Sequence, residues 1–309
     1  MSNLFQFNKS YKLADGLWIE SPIPDNMIKY SLASSATLVE QVPMIAALLN
    51  ELSQVFVTVS QGHCGEFWEV FVGENDHFAL KKRLTESEFD FLKWPNSAES
   101  APELLLFDMD STFIEIEVID QLAKYHNVGD KVALVTEKAM QGELDFAESL
   151  IERVACLKGL SSTAIEQIKQ SLPLSQGIEN LVTAAHKAGA KVAIVSGGFT
   201  PFVNYLKDKL NLYAVKANHL KIENGHLTGE VEGGIVDAQA KQDFLKQLAD
   251  ELGIEIEKTM AIGDGANDLL MMSAAGFDLA YRAKPKVQEA ANGRFNHQDF
   301  GRIVDIFKW

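Results

Sequence analysis

The sequence predicts an α/β protein: an open parallel sheet carrying an inserted helical subdomain, preceded by a small α+β domain. Three observations carry this. The short apolar runs at 104–107, 192–195, 259–262 and 278–281 have the nearly unbroken apolar character of strands buried on both faces. Helical patterns lie between them, which is the alternation of an α/β sheet. A polar, small-residue stretch bounded by Pro95 and Pro102 separates this part from an amino-terminal segment with a different periodicity. The expected division is residues 1–95, a linker at 96–103, and a core at 104–309 with a helical cap inserted at about 116–175.

In the amino-terminal segment, Leu38, Val42, Ile45, Leu49 and Leu52 recur at helical spacing. Val55, Val57 and Val59 then alternate as a strand, and residues 61–65 turn into a second one. Trp68, Val70 and Val72 mark one face of it, Phe67 and Phe71 the other. This is a helix on an antiparallel sheet. His63 and Cys64 have metal-ligand chemistry but no second pair, so they are not read as a metal site.

In the core, one helix should run from Ile178 to Lys187 and stop at Gly189. A second should run from Phe202 to Leu210, with Thr200 as cap and Pro201 as its first residue. A third should run from Lys241 to Leu252, ended by Gly253. Within the insertion, Asp145 followed by Glu148 reads as a capping box opening a helix along Phe146, Leu150, Ile151, Val154 and Leu157. Asn224-Gly225 between apolar alternations reads as a hairpin turn.

The chain has 309 residues, 47% of them hydrophobic, and a formal net charge of −15. That charge argues against nucleic acid and against an anionic membrane surface as partners, since both are gripped by clustered Lys and Arg. No apolar run approaches the ~20 residues of a membrane span. The amino terminus lacks the basic start and apolar stretch of a secretory leader. Cys64 and Cys156 form no CxxC pair and read as buried structural thiols in a reducing cytoplasm.

The chemistry sits where the strands end, as it does in open α/β sheets. The first strand runs into Asp108-Met109-Asp110-Ser111-Thr112. Two carboxylates this close either make a solvated acidic turn or hold a divalent cation with oxygen ligands. The second strand runs into Ser196-Gly197-Gly198, a hydroxyl beside bare amides suited to an anion. The third ends in Gly263-Asp264-Gly265-Ala266-Asn267-Asp268, and Lys241 can add a cation. There is no Gly-x4-Gly-Lys-Ser/Thr loop, no third glycine after Gly263 and Gly265, and Phe113 stands where a calcium loop needs glycine.

With these motifs in this order, the sequence resembles the haloacid-dehalogenase-like phosphatases, whose Rossmann-like core carries a cap. The resemblance covers residue 104 to the end. Glu117, the run Ala139-Met140-Gln141-Gly142, Phe146 and Arg153 make it similar to the members that act on phosphoserine. The resemblance implies Mg²⁺-dependent hydrolysis of O-phosphoserine to serine and phosphate, as the last step of serine biosynthesis. It implies that Asp108 is the nucleophile forming an aspartyl-phosphate and that Asp110 is the proton carrier. Mg²⁺ would be held by Asp108, the Asp110 backbone carbonyl and Asp264, with Asp268 supporting through water. Ser196, the Gly197 amide and Lys241 would stabilise the phosphoryl oxygens, and Asn267 would help orient the site. Glu117 would meet the substrate ammonium and Arg153 its carboxylate, under a lid of Met140 and Phe146.

Two other readings compete: hydrolysis or transfer on another small phosphorylated metabolite, and an amino-acid-binding protein that has lost catalysis. The amino-terminal pattern permits an amino-acid-sensing, homodimerising or purely structural role.

Overall fold

The computed structural model describes residues 6, 9–14, 17–95 and 100–309. Most of the stretch read for a leader, and residues 96–99 of the expected linker, lie outside them. The amino-terminal elements are β1 (Ser10–Ala14), β2 (Leu17–Glu20), β3 (Ile28–Ala33), α1 (Leu38–Leu49), β4 (Val55–Gly62), β5 (Gly65–Val72), α2 (His77–Thr85) and β6 (Asp90–Lys93). The helix and both strands read from periodicity are α1, β4 and β5. Strands β1, β2, β3 and β6 were not read, because they are short and mix apolar with polar residues. Along β5, Trp68, Val70 and Val72 face a core shared with Ile45, Leu49 and Leu84, while Phe67 points into the larger core of the molecule. The two faces of the strand therefore serve two different cores.

The second part begins with β7 (Leu104–Phe107). The cap follows as α3 (Val118–Tyr125), α4 (Gly129–Met140), α5 (Phe146–Ala155) and α6 (Thr163–Gln170). Asp145 caps α5 reciprocally with Glu148, as its sequence predicts. Then come α7 (Ile178–Lys187), β8 (Lys191–Phe199), α8 (Thr200–Leu210), the hairpin β9 (Ala214–Glu223) and β10 (His226–Glu232), and α9 (Ala238–Leu252). The chain closes with β11 (Thr259–Gly263), α10 (Leu269–Ala274), β12 (Phe277–Tyr281), α11 (Pro285–Ala290), β13 (Gly293–Phe295) and α12 (Gly301–Phe307). Two helix starts differ from the sequence reading. Phe199, not Thr200, caps α8, and α9 begins three residues early because Asp237 accepts from the Ala240 amide.

Strands β9, β8, β7, β11, β12 and β13 run parallel in that spatial order, with β10 antiparallel on the outside. On β7, Leu105 and Phe107 face one apolar layer and Leu104 and Leu106 the other, so the whole run is apolar. The sheet does not stop there. Strand β6 pairs antiparallel with β13, joining both parts into one thirteen-stranded sheet in the order β10-β9-β8-β7-β11-β12-β13-β6-β3-β5-β4-β1-β2.

Buried charges lock that seam. The guanidinium of Arg294, 3% exposed, donates to the carbonyls of Leu84, Thr85, Ser87 and Phe89. Asp90 accepts from the amides of Asn296, His297 and Gln298. Asp305 accepts from the amides of His63 and Cys64, and Arg302 donates to the carbonyls of Cys64 and Gly65. Cys64 at this turn is exposed and Cys156 is only half-buried, which corrects the expectation of two buried thiols. The β4–β5 turn is held to Asp305 through its backbone amides, so its anchoring does not require a buried Cys64 side chain. Among the described residues, no helix is long and apolar enough to cross a membrane.

Candidate active site

Asp108 follows β7 directly, and its amide still donates to the Ile262 carbonyl at 2.9 Å, so the sheet holds it in place. The chain then turns through Met109–Phe113, with Ser111 at φ 56°. Asp108 is 6% exposed and Asp110 8%, which rules out a solvated acidic turn. The two acids have separate partners. Asp108 Oδ1 accepts from Lys241 Nζ at 2.8 Å. Asp110 Oδ1 accepts from the Val118 amide at 2.7 Å, at the start of the first cap helix, and its Oδ2 accepts from Ser196 Oγ at 3.3 Å.

The Ser196–Gly198 stretch is not a turn beyond a finished strand. It lies within β8, where the register against β9 slips between Val195 and Phe199. Ser196 Oγ accepts from the Gly198 amide, and Asn218 braces the bulge by donating to the Gly197 carbonyl while accepting from the Val236 amide. Crowding disfavours a side chain at both glycines. A Cβ on Gly198 would lie 2.6 Å from Asp110 Oδ2, and one on Gly197 would lie 2.7 Å from the Phe146 ring. Phe146 therefore lies over the Gly197 backbone, which puts the cap against the core at this point.

After β11, Asp264 Oδ1 accepts from Thr112 at 3.2 Å, and Asp268 accepts from the Gly265 amide and from Lys241 at 2.7 Å. One carboxylate oxygen each from Asp108, Asp264 and Asp268 lies within 4.8 Å of the others. Burial and the Asp268 charge push the Asp108 carboxyl well up, with Lys241 opposing. Burial and Asp268 likewise bring Asp264 up to about 6. Burial and the nearby Glu117 charge push Asp110 up to about 8. Burial would strip the proton from Lys241, but the Asp108 and Asp268 charges outweigh it and hold the ammonium charged.

These groups open into a cavity of about 810 Å³, lined by Asp108, Asp110, Ser196, Gly197, Asp264 and Asn267 from the core. The cap supplies Glu117, Met140, Phe146 and Arg153 to the same cavity. Glu117 accepts from Ser111 at 2.7 Å, and Arg153 Nε donates to the Ser149 carbonyl on its own helix. Met140 is 82% exposed. Two predicted residues stand apart from the cavity surface. Lys241 is wholly buried beneath Asp108 and Asp268, and Asp268 lies behind Gly265. The sequence reading missed Thr112, Asn218 and Lys284. Thr112 belongs to the Asp-x-Asp-Ser-Thr motif and was legible there, whereas the other two carry no local signal.

A family model for haloacid dehalogenase-like hydrolases matches residues 102–276. The chain belongs to that family. Phosphoserine phosphatase of Vibrio cholerae is 46% identical over 233 residues, covering 75% of this chain and 70% of that protein. The phosphoserine phosphatase of Idiomarina loihiensis is 47% identical over 205 residues, 66% of this chain and 93% of its own. Among solved structures, a haloacid dehalogenase family hydrolase from Salmonella enterica serovar Typhi superposes with a TM-score of 0.84 at 26% identity, covering 92% of this chain and 99% of its own. A probable phosphoserine phosphatase from Vibrio cholerae superposes with a TM-score of 0.73 at 39% identity, covering 91% and 86%. The parallel sheet and the helical insertion described above are thus the family's core and cap in this chain.

Proposed function

We propose that this chain is a phosphoserine phosphatase, hydrolysing O-phosphoserine to serine and phosphate through an aspartyl-phosphate on Asp108. The observation that carries the reading is the meeting of Asp108, Asp110 and Ser196 from the core with Glu117 and Arg153 from the cap in one cavity. Relatives named phosphoserine phosphatase, at 46% and 47% identity, support it.

The donor set fits Mg²⁺. Three carboxylates crowd together, two of them with raised pKa values, and hard oxygen ligands of like charge are what this cation neutralises. Asp108, the Asp110 backbone carbonyl and Asp264 would hold it, with Asp268 supporting through water. When bound, it supplies charge neutralisation for the transferring phosphoryl group.

Asp108 attacks phosphorus with the carboxylate oxygen not held by Lys241, and the P–O bond to serine breaks. Asp110 carries a proton near neutral pH because burial and Glu117 raise it, and it gives that proton to the departing serine oxygen. Water then enters, Asp110 takes a proton back, and phosphate leaves while the Asp108 carboxylate is restored. Ser196 Oγ and the Gly197 amide face the phosphoryl oxygens. Arg153 grips the substrate carboxylate through its planar fork, and Glu117 takes the ammonium. Phe146, already over Gly197, keeps water off the site.

All these groups lie in residues 104–309, which supports reading residues 1–95 as an accessory unit with a structural, sensing or homodimerising role. The two unpaired cysteines support a reducing cytoplasmic setting.

The test is Mg²⁺-dependent phosphate release across small phosphorylated compounds, phosphothreonine included, for wild type and Arg153→Ala. Phosphoserine should be preferred, and Arg153→Ala should chiefly lose phosphoserine turnover while an aryl phosphate is less affected. Equal loss on both substrates would show that Arg153 does not set specificity. No preference in the wild type would remove phosphoserine as the substrate.

A further inference from the structure

The approach to the active-site cavity is acidic, and the groups assigned so far act on the phosphate only once it is inside. Its lining carries six acids: Asp108, Asp110, Glu117, Asp145, Asp237 and Asp264. The chain around it has a formal net charge of −15. Yet the substrate class that the site takes, a phosphate monoester of an amino acid, is itself a net anion at neutral pH. Lys241 cannot meet it at the entrance, since its ammonium is wholly buried and bound to Asp108 and Asp268. Among the described residues, the cations lining the cavity are Arg153 and Lys284. Arg153 belongs to the cap and is committed to the substrate carboxylate. Within the site, Ser196, the Gly197 amide and the proposed Mg²⁺ meet the phosphoryl oxygens; at the rim, among the described residues, that leaves Lys284 as the cation an incoming phosphate passes.

Lys284 lies in the segment after β12, on the opposite side of the Asp264 strand end from Asp108. Its amide donates to the Asp264 carbonyl at 3.2 Å, which ties this segment to the carboxylate cluster. Its residue is exposed while lining the cavity, so it stands at the rim, where an incoming ligand passes. Pro285 follows and opens α11, fixing the backbone just beyond it. The Lys284 charge is close enough to oppose the upward shift of Asp264.

We propose that Lys284 is a further substrate-binding residue, the rim cation that draws in and holds the phosphate dianion. The assignment rests on the phosphatase reading above. A cation beside a carboxylate cluster has a second consequence of opposite sign. It attracts the phosphate and repels the divalent cation, so its removal weakens one ligand and strengthens the other. A residue that only supported the fold would weaken both.

The test uses the full chain, with Lys284→Gln and Lys284→Arg. In Lys284→Gln the KM for phosphoserine should rise about three- to tenfold, the scale of one partly solvated charge contact, with the loss falling on KM rather than kcat. The salt dependence of KM should flatten, because added ions screen a charge that is no longer there. By thermal shift, inorganic phosphate should stabilise Lys284→Gln less than wild type, while Mg²⁺ should act at lower concentration. Lys284→Arg should restore KM. An unchanged KM with an unchanged Mg²⁺ requirement would overturn the proposal. So would a parallel weakening of phosphate and Mg²⁺ with a lowered metal-free melting temperature. If the wild type releases no phosphate from phosphoserine, the functional reading fails, and the two thermal-shift titrations still decide the role of Lys284.

Discussion

Lys241 Nζ sits 2.8 Å from Asp108 Oδ1 with no exposure to solvent, so the proposed nucleophile is held by a buried ion pair. The same ammonium reaches Asp268 at 2.7 Å, making one cation the common partner of two acids from different strand ends. Removing it leaves two buried carboxylates facing each other. Lys241→Met should destabilise the protein by about 3–5 kcal/mol, the scale for orphaning a buried charge, read from urea unfolding. Turnover should fall by at least about a hundredfold, since the charge that orients Asp108 is lost. Full activity in that variant would show that the pair is structural only.

The Asp110 carboxyl, raised to about 8, makes a pH prediction. As general acid it must be protonated, so kcat/KM should fall as pH rises through the alkaline side of that value. Asp110→Asn should cost about 10²–10⁴-fold and abolish this limb, since asparagine keeps the shape but carries no transferable proton. A pH–rate profile of the variant that kept the wild-type alkaline limb would assign it to another group.

Asp264 offers a stability measurement independent of turnover. Its folded-state value, about 6, lies above that of a free carboxyl, so the folded protein binds this proton more tightly than the unfolded chain. The stability it contributes is therefore present at low pH and lost as pH rises through about 6. Asp264→Asn imitates the protonated state. Without metal, it should melt higher than wild type at pH 7.5, with the difference shrinking toward pH 5. It should also lose the stabilisation that Mg²⁺ gives the wild type. A variant that melts lower at pH 7.5 would contradict the charge-crowding account.

The seam between β6 and β13 predicts that the amino-terminal unit is not a detachable appendage. Arg294→Met leaves the carbonyls of Leu84, Thr85, Ser87 and Phe89 without their donor and should cost about 3 kcal/mol or more. A fragment of residues 100–309 would expose the edge of β13 and leave Arg294, Arg302 and Asp305 without their partners across the seam. It should unfold at lower urea than the full chain and aggregate more readily. An unchanged urea midpoint would show that the seam contributes nothing.

What the sequence by itself determined is local. Unbroken apolar runs marked the buried parallel strands, Gly253 and the Asp145–Glu148 pair marked helix ends, and Asn224-Gly225 marked a hairpin, because each depends on neighbours within a few residues. The acids at the strand ends were legible for the same reason: their motifs are contiguous, and strand ends are where open sheets place ligands. Tertiary structure decided what depends on partners far along the chain. It made one sheet of two parts through β6 and β13, whose pairing joins residues about 200 positions apart and leaves no periodicity to read. It also buried Lys241 beneath two acids rather than in the cavity wall, set Asn218 to brace Gly197, and brought Lys284 to the rim. A lone lysine or asparagine gives no sign in sequence of what will surround it, and here the surroundings set the charge and the role.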